Sequence, residues 1–339
     1  MNTAPLNLLI DLGSGYLKCG PPQRSEPLVI PAALKSPKPN QELSVFSRLD
    51  PGRSSWIFPL EDGMLPKDSN LVAQLAKKAI EQFPDFKVSS AQVEITLMVF
   101  PSSPPEQVTE QCRRVQEKLG CLHVDAAIQQ VLTWGYWGRK SGLIIDVGYS
   151  VSFITPIYRG FLLEEQVIPL VTGSFFVSAQ IRKLLFHQAE IVDSTQSHLY
   201  SQLANNGGAI SSIKQNFCQV KPYEVDGHFD KMARFQYQDS ELSLGSIPWQ
   251  ATEVLFQPTL LRVGDKGLTD ALIDVLDGVD TSIRAELASN IVLSGGGSMF
   301  PGLRSRIQND VETQLPHLTV KVFDLEYPLY SSWLGAAKM

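Results

Sequence analysis

A chain of 339 residues, 43% hydrophobic and 19% charged, has material for two domains of ordinary size, each with its own core. A net charge of −6, a pI near 5.5 and the lack of any Lys/Arg run exclude a nucleic-acid partner as the working reading. Four scattered cysteines without a Cys-x-x-Cys pair, five histidines without ligand spacing, no 18-residue apolar run and no signal-like start point to a cytoplasmic protein, without structural zinc or membrane insertion.

The first predicted element is a buried strand that runs into Leu8-Leu9-Ile10-Asp11-Leu12-Gly13-Ser14-Gly15-Tyr16-Leu17-Lys18. The glycines permit a tight turn that brings backbone N–H groups close to a ligand. Asp11 suits a metal held through water, and Lys18 suits a phosphate. A further strand, residues 28–30, ends at Pro31. Residues 35–55, rich in Pro, Ser and Asn, read as a loop or a small peripheral lobe, and order restarts at Phe58-Pro59-Leu60.

Leu71, Val72, Leu75, Ala79 and Phe83 give a helix over 70–83 one apolar face, with Asp68-Ser69-Asn70 as its cap. Residues 93–100 are a strand that stops at Pro101. A helix then opens at Ser102-Ser103-Pro104-Pro105-Glu106, with Val108, Cys112, Val115 and Leu119 at helical spacing. A third helix is predicted over about 125–137, and Trp134 and Trp137 on it read as packing residues. The alternation of apolar strands and helices indicates the α/β class.

At Leu143-Ile144-Ile145-Asp146-Val147-Gly148-Tyr149 the chain repeats the pattern of the first hairpin, which suggests a duplicated fold whose halves face each other across a cleft. Residues 151–156 and 161–169 read as further strands, with Glu164-Glu165 a solvated turn. Residues 178–186 read as a helix, and 187–250 as polar and irregular, with a turn at Asn205-Asn206-Gly207-Gly208. Helices follow at 268–275 and 283–288, where Asp270, Asp274, Asp277 and Asp280 form an exposed face and its end. A strand at 290–294 enters Gly295-Gly296-Gly297, and a helix after Pro301 carries Leu303, Ile307 and Val311 on one side. A strand, a glycine corner and a helix start make a good anion or nucleotide edge.

Taken together these stretches resemble the actin family. Asp11 to Lys18 is similar to its first phosphate loop and Asp146-Val147-Gly148 to its second. Ala127-Ile128-Gln129-Gln130-Val131-Leu132 resembles the hinge helix, and Pro156-Ile157-Tyr158-Arg159-Gly160 the strand pair after the second loop. Phe256-Gln257-Pro258, Asn290-Ile291-Val292-Leu293-Ser294-Gly295-Gly296 and Met299-Phe300-Pro301-Gly302 separate actins from the chaperones and hexokinase-type sugar kinases that share the fold. Tyr330-Ser331-Ser332-Trp333-Leu334-Gly335 resembles the return to the first domain.

The resemblance implies an actin-like fold of two similar domains around ATP or ADP with Mg²⁺ or Ca²⁺. The first would comprise residues 1–137 plus 331–339, with an outer lobe at about 33–57, and the second 138–330, with an outer lobe at about 172–263. Asp11 and Asp146 would act on the cation through water, and with Gln129, which orients the attacking water, they form the implied catalytic set. Gly13, Ser14, Gly15, Tyr16 and Lys18 would hold phosphates, with Gly148, Tyr149 and Ser150 opposite them. Gly295, Gly296, Gly297 and Phe300 would border the adenosine, and Lys214 would flank the base.

Departures from the family pattern bear on activity. Its acid near the second loop is replaced at Tyr149, its next glycine is Ser150, and its histidine for water activation is Phe153. Its ribose glutamate is Gln215, and its lysine at the adenine edge is Leu329. Removing a proton-transfer group slows a reaction by roughly 10²–10⁴, so nucleotide binding is expected with hydrolysis slow or absent. The 35–57 stretch is shorter than the family's outer lobe, and the sequence ends at Met339 before the family's last helices. The resemblance therefore does not carry over the family's longitudinal contact or its partner groove. Filaments stay open, because bacterial and archaeal relatives polymerise without that lobe's loop.

The leading expectation is an ATP-binding cytoskeletal protein whose domain closure favours self-assembly. The alternative is a non-polymerising actin-related subunit that caps or scaffolds a complex, as the pointed-end subunit of dynactin does. A sugar kinase would need a carboxylate base beside a sugar pocket, and no acid beyond Asp11 and Asp146 offers itself.

Overall fold

The computed structural model describes residues 5–32, 34–35, 44–45, 56–57, 69–83, 92–221, 233–263 and 266–339. The opening hairpin forms as β1 (Leu6–Leu12) and β2 (Tyr16–Gly20), with β3 (Leu28–Pro31) beside β2. Leu8, Ile10, Leu12 and Leu17 are buried, so the apolar run has become a covered strand pair. Three two-residue strands, β4 (Leu34–Lys35), β5 (Ser44–Val45) and β6 (Trp56–Ile57), pair antiparallel within the predicted lobe. The rest of that lobe, the restart at 58–60 and Asp68 of the predicted cap lie outside the described residues.

Helix α1 (Ser69–Glu81) buries Val72, Leu75, Ala76 and Ala79. Strand β7 (Val93–Val99) pairs parallel with β1. Helix α2 (Pro105–Leu119) starts on its proline and stops at Gly120, whose left-handed φ of 62° suits glycine. The third helix begins later than the sequence indicates. Residues 125–128 belong to β8 (His123–Ile128), which pairs parallel with β7, and helix α3 (Gln129–Trp137) starts only after it. Ala126 and Ala127 favour helix locally, but the open edge of β7 supplies backbone partners that outweigh propensity.

The pattern then repeats. Strands β9 (Gly142–Val147) and β10 (Ser152–Tyr158) form the second hairpin. The predicted strand over 161–169 is split into β11 (Phe161–Leu162) and β12 (Ile168–Leu170) by a 3₁₀ turn at Glu164–Gln166. Helix α4 (Ser174–Ile191) is longer at both ends than predicted.

The described residues within 187–250 are far more regular than their polarity suggests. They form α5 (Ser194–Asn205), α6 (Gly207–Asn216), the hairpin β13 (Ala233–Tyr237) and β14 (Ser240–Gly245), and the short α7 (Ile247–Gln250). Asp193 accepts from the backbone of Thr195 and Gln196, and Asn206 accepts from Ala209, so both helices carry proper caps. Tyr200, Leu203, Ile210 and Ile213 face the core, and the polar residues that suggested a loop face outward. The predicted turn at 205–208 is the one-residue corner at Asn206.

Helices α8 (Leu268–Gly278) and α9 (Thr281–Ala288) follow, the latter capped by Asp280. Strand β15 (Ile291–Ser294), helix α10 (Leu303–Gln314), strand β16 (Val322–Asp324) and helix α11 (Ser331–Ala337) complete the chain. Leu303, Ile307 and Val311 are buried together, as their spacing predicts.

The sheet orders are β3-β2-β1-β7-β8 and β11-β10-β9-β15-β16, with β12 also on β10. In both, the central hairpin is antiparallel and the next two neighbours are parallel, so the sheets match strand for strand. The two halves also interlock. Phe153 of β10 is buried against the first sheet's core, its ring stacked on Phe100 at 5.4 Å. Helix α11 seats Trp333 among Leu9, Met98 and Leu132, and crosses α3 where any Cβ on Gly335 would strike the Leu132 carbonyl.

Candidate functional site

Residues 13–15 form the tip between β1 and β2, and residues 148–151 the tip between β9 and β10. Gly148 is needed because a Cβ there would lie 2.5 Å from the Val151 carbonyl. The tips meet: the Ser150 backbone N–H donates to Ser14 Oγ at 3.2 Å. The Tyr149 side chain lies against Gly15, with ring and Cβ atoms 2.5–2.8 Å from where a Gly15 Cβ would stand. The third turn starts at Gly295, which has a left-handed φ of 79°, and places Gly297 against the Val147 carbonyl.

These three turns border one cavity of about 580 Å³, a size that suits a small molecule. Gly13, Ser14, Gly15, Tyr16, Lys18, Gln129, Asp146, Gly148, Tyr149, Lys214, Gly295, Gly296, Gly297 and Phe300 all line it. Asp11 and Ser150 are outside that lining by one bond each, through Lys18 and Ser14 respectively. The sequence-predicted residues are thus brought to a single place.

Asp11 is buried, and its carboxylate meets the Lys18 ammonium at 3.1 Å. It also accepts from Gln129 at 2.8 Å and from Ser332 at 2.7 Å. The Gln129 amide further donates to the Leu12 and Met98 carbonyls at 3.1 and 3.3 Å. Asp146 accepts from Gln130 at 2.9 Å. Adjacent glutamines at the start of α3 therefore hold one acid each. Burial pushes the Asp146 carboxyl up to about 6, with Asp11 pushing the same way and Lys18 and Gln130 pulling down.

A polyanion with a divalent cation fits this chemistry. Lys214 lines the cavity, donates to the Ser174 carbonyl at 3.3 Å, and pairs with no carboxylate among the described residues. Burial lowers its pKa to about 8, and an anion in the cleft would reverse that shift. The buried Ser150 hydroxyl has no hydrogen-bond partner among the described residues, so a donor is left over at the tip. Asp146 on the cavity lining, with Asp11 behind Lys18, suits a cation held through water. Among the described residues no cluster of three or more His, Cys, Asp or Glu is gathered for direct ligation.

Several participants escaped sequence reasoning. Gln130 and Ser332 hold the acids, and Ser331 links Thr133 of α3 to Ser294 of β15 through hydroxyl contacts of 3.2 and 2.9 Å. Phe100, Ser174 and Cys218 also line the cavity. Gln130 was legible as the neighbour of Gln129, while the serines carried no signal beyond the Tyr330-Ser331-Ser332-Trp333 stretch. Of the departures, Gln215 and Leu329 do line the cavity, and Leu329 sits against Gly296.

The duplicated sheets, with their hairpin tips on a shared cleft, agree with comparison to known sequences: the Actin family model matches residues 6–339. The chain belongs to the actin family. Its similarity to the following relatives is low. Actin-related protein 2 of Schizosaccharomyces pombe is 26% identical over 299 residues, covering 83% of this chain and 74% of that protein. Actin-related protein 2 of Saccharomyces cerevisiae is 25% identical over 328 residues (90% and 81%), and that of Acanthamoeba castellanii 24% over 325 residues (90% and 81%). This is a divergent member of the family, with the family's α/β fold. Among the described residues no helix is long and apolar enough to cross a membrane.

Proposed function

We propose that the protein binds an adenine nucleotide with Mg²⁺ or Ca²⁺ in the cleft and works by assembling with actin-like subunits, its own copies or others. The observation that carries this reading is the convergence of both glycine-bearing tips and the 295–297 turn on one cavity. The division into residues 1–137 plus 331–339 and 138–330 assigns one tip to each domain. A ligand held by both tips would then couple to domain closure.

In this reading Ser14, Gly15 and Lys18 hold phosphate from one side and the Ser150 hydroxyl from the other, the Gly148 N–H being already given to the Val151 carbonyl, while Lys214, the glycine turn and Phe300 border the nucleoside. A bound cation would neutralise phosphate charge, with Asp11 and Asp146 holding its waters. The Gln129 amide nitrogen is committed to three oxygens, which leaves its carbonyl oxygen to orient a water. Phe153 stacks on Phe100 and offers no proton acceptor. Hydrolysis is therefore slow or absent, and nucleotide serves mainly to hold the domains together.

Tyr149 and Phe153 favour a second reading, a non-polymerising subunit within a larger assembly, because neither residue supports a hydrolytic cycle. Identification of the co-purifying nucleotide, together with sedimentation velocity after adding ATP and Mg²⁺, tests both. Bound adenine nucleotide is expected in either case. Large polymers of the pure protein would favour self-assembly, and monomers that enter a defined heteromeric complex would favour the second reading. A pure, folded protein that neither carries nor takes up nucleotide would overturn the proposal.

A further inference from the structure

We propose that Tyr149 is a specificity residue that shortens the phosphate end of the cleft, so that the protein holds a nucleoside diphosphate in preference to a triphosphate. The inference rests on the nucleotide-binding reading above and concerns which nucleotide is held.

The argument begins with what a terminal phosphate needs. It must find backbone N–H donors or cations and enough space between the tips. The face of Gly15 that looks toward the opposite tip is covered by carbon, since Tyr149 Cγ, Cβ and Cδ2 occupy the direction a side chain would take. The nearby Ser150 N–H is already given to Ser14 Oγ. An aromatic face is electronegative and cannot donate, so an oxyanion pressed against it would lose water without gaining a partner.

Tyr149 is also firmly seated. The Phe175 backbone N–H donates to its carbonyl at 2.7 Å, and the Ser174 N–H donates to the Gly148 carbonyl at 3.0 Å. A Cβ on Gly173 would fall 2.5 Å from the Tyr149 carbonyl, so the segment entering α4 is wedged behind the tip. The Phe175 ring lies 5.7 Å away, and the Lys214 ammonium stands 5.4 Å from the centre of the Tyr149 ring. Moving the ring aside breaks contacts on several sides at once. A shorter phosphate tail leaves it in place and can still use Lys18, Lys214 and the Ser150 hydroxyl.

The test is calorimetric titration of the purified full chain, in Mg²⁺, with ADP and with a non-hydrolysable ATP analogue. Wild type is expected to bind ADP at least about tenfold more tightly. Tyr149→Gly is expected to remove most of that preference by strengthening binding of the triphosphate analogue, while Tyr149→Phe keeps the ring and the preference. Equal wild-type affinities, or an unchanged ratio in a folded Tyr149→Gly, overturn the inference and leave nucleotide binding standing. Failure of wild type to bind either ligand overturns both. The wild-type ratio decides by itself where Tyr149→Gly does not fold.

Discussion

Asp11 and Asp146 stand at the same place in matching sheets, each near the end of the central strand where a hairpin turns back. Their surroundings differ. Asp11 is met by an ammonium, an amide and a hydroxyl, whereas Asp146 has an amide and a pKa raised by burial. The tips beyond them differ in the same sense. The first is small and leads to a lysine, and the second carries a ring that reaches across and covers part of the first. The backbone device is the same at both places, while the first acid sits in an ion pair and the second tip lays a ring against the first. Of the two lysines that line the cavity, Lys18 is paired with Asp11, while Lys214 donates to the Ser174 carbonyl, so Asp146 is left with an amide.

The strongest way to break this comparison is to remove the cation. Lys18→Met leaves Asp11 buried opposite an apolar group, and loss of one member of a buried pair costs about 3–5 kcal/mol. The urea midpoint should fall accordingly, and Asp11→Asn in the same chain should recover a large part of the loss. A change below about 1 kcal/mol would mean that water, and not Lys18, balances Asp11.

The second acid gives a smaller, pH-dependent effect. In nucleotide-free protein the folded state holds the Asp146 proton more tightly than the unfolded chain, because burial raises its pKa from 3.8 to about 6. Between those values the folded state binds more protons, so this group's contribution to stability falls as pH rises and is flat above the upper value. The whole effect is no more than about 3 kcal/mol. Denaturation of wild type and Asp146→Asn at pH 4.5 and pH 7 reads it: wild type should lose stability relative to the variant on going to pH 7. A pH-independent difference would show that the carboxyl titrates as in water.

The contrast between the tips was only half visible in the sequence. Asp11-Leu12-Gly13 and Asp146-Val147-Gly148 announce themselves because glycine, acid and apolar strand are neighbours in the chain. The replacement at Tyr149 was also legible, but the direction of its side chain was not, since that depends on Gly15 in the other half. Strand β8 was hidden for a related reason: parallel pairing is bought with non-local contacts, while Ala126 and Ala127 speak locally for helix. Helices α5 and α6 were hidden by polar outer faces, although Asp193 and Asn206 wrote their caps in plain letters. Ser332 reaches Asp11 from the far end of the chain, and no short-range pattern encodes such a bond.

The finest probe of the comparison is the hydroxyl at the second tip. Ser150 Oγ is buried and has no hydrogen-bond partner among the described residues, so Ser150→Ala removes an unsatisfied group. Deleting it should leave the stability of nucleotide-free protein within about 1 kcal/mol, or raise it slightly, because no native hydrogen bond is lost. Ligand affinity should move the other way. A hydrogen bond to a charged phosphate is worth about 1.5–3 kcal/mol, so the dissociation constant for ADP should rise by at least about tenfold. Melting curves with and without ADP separate the two effects, since only the ligand-induced shift should shrink. An equal loss in both curves would make Ser150 a structural residue. An unchanged shift would place the phosphates on the first tip alone, and the second tip would then act only through the ring of Tyr149.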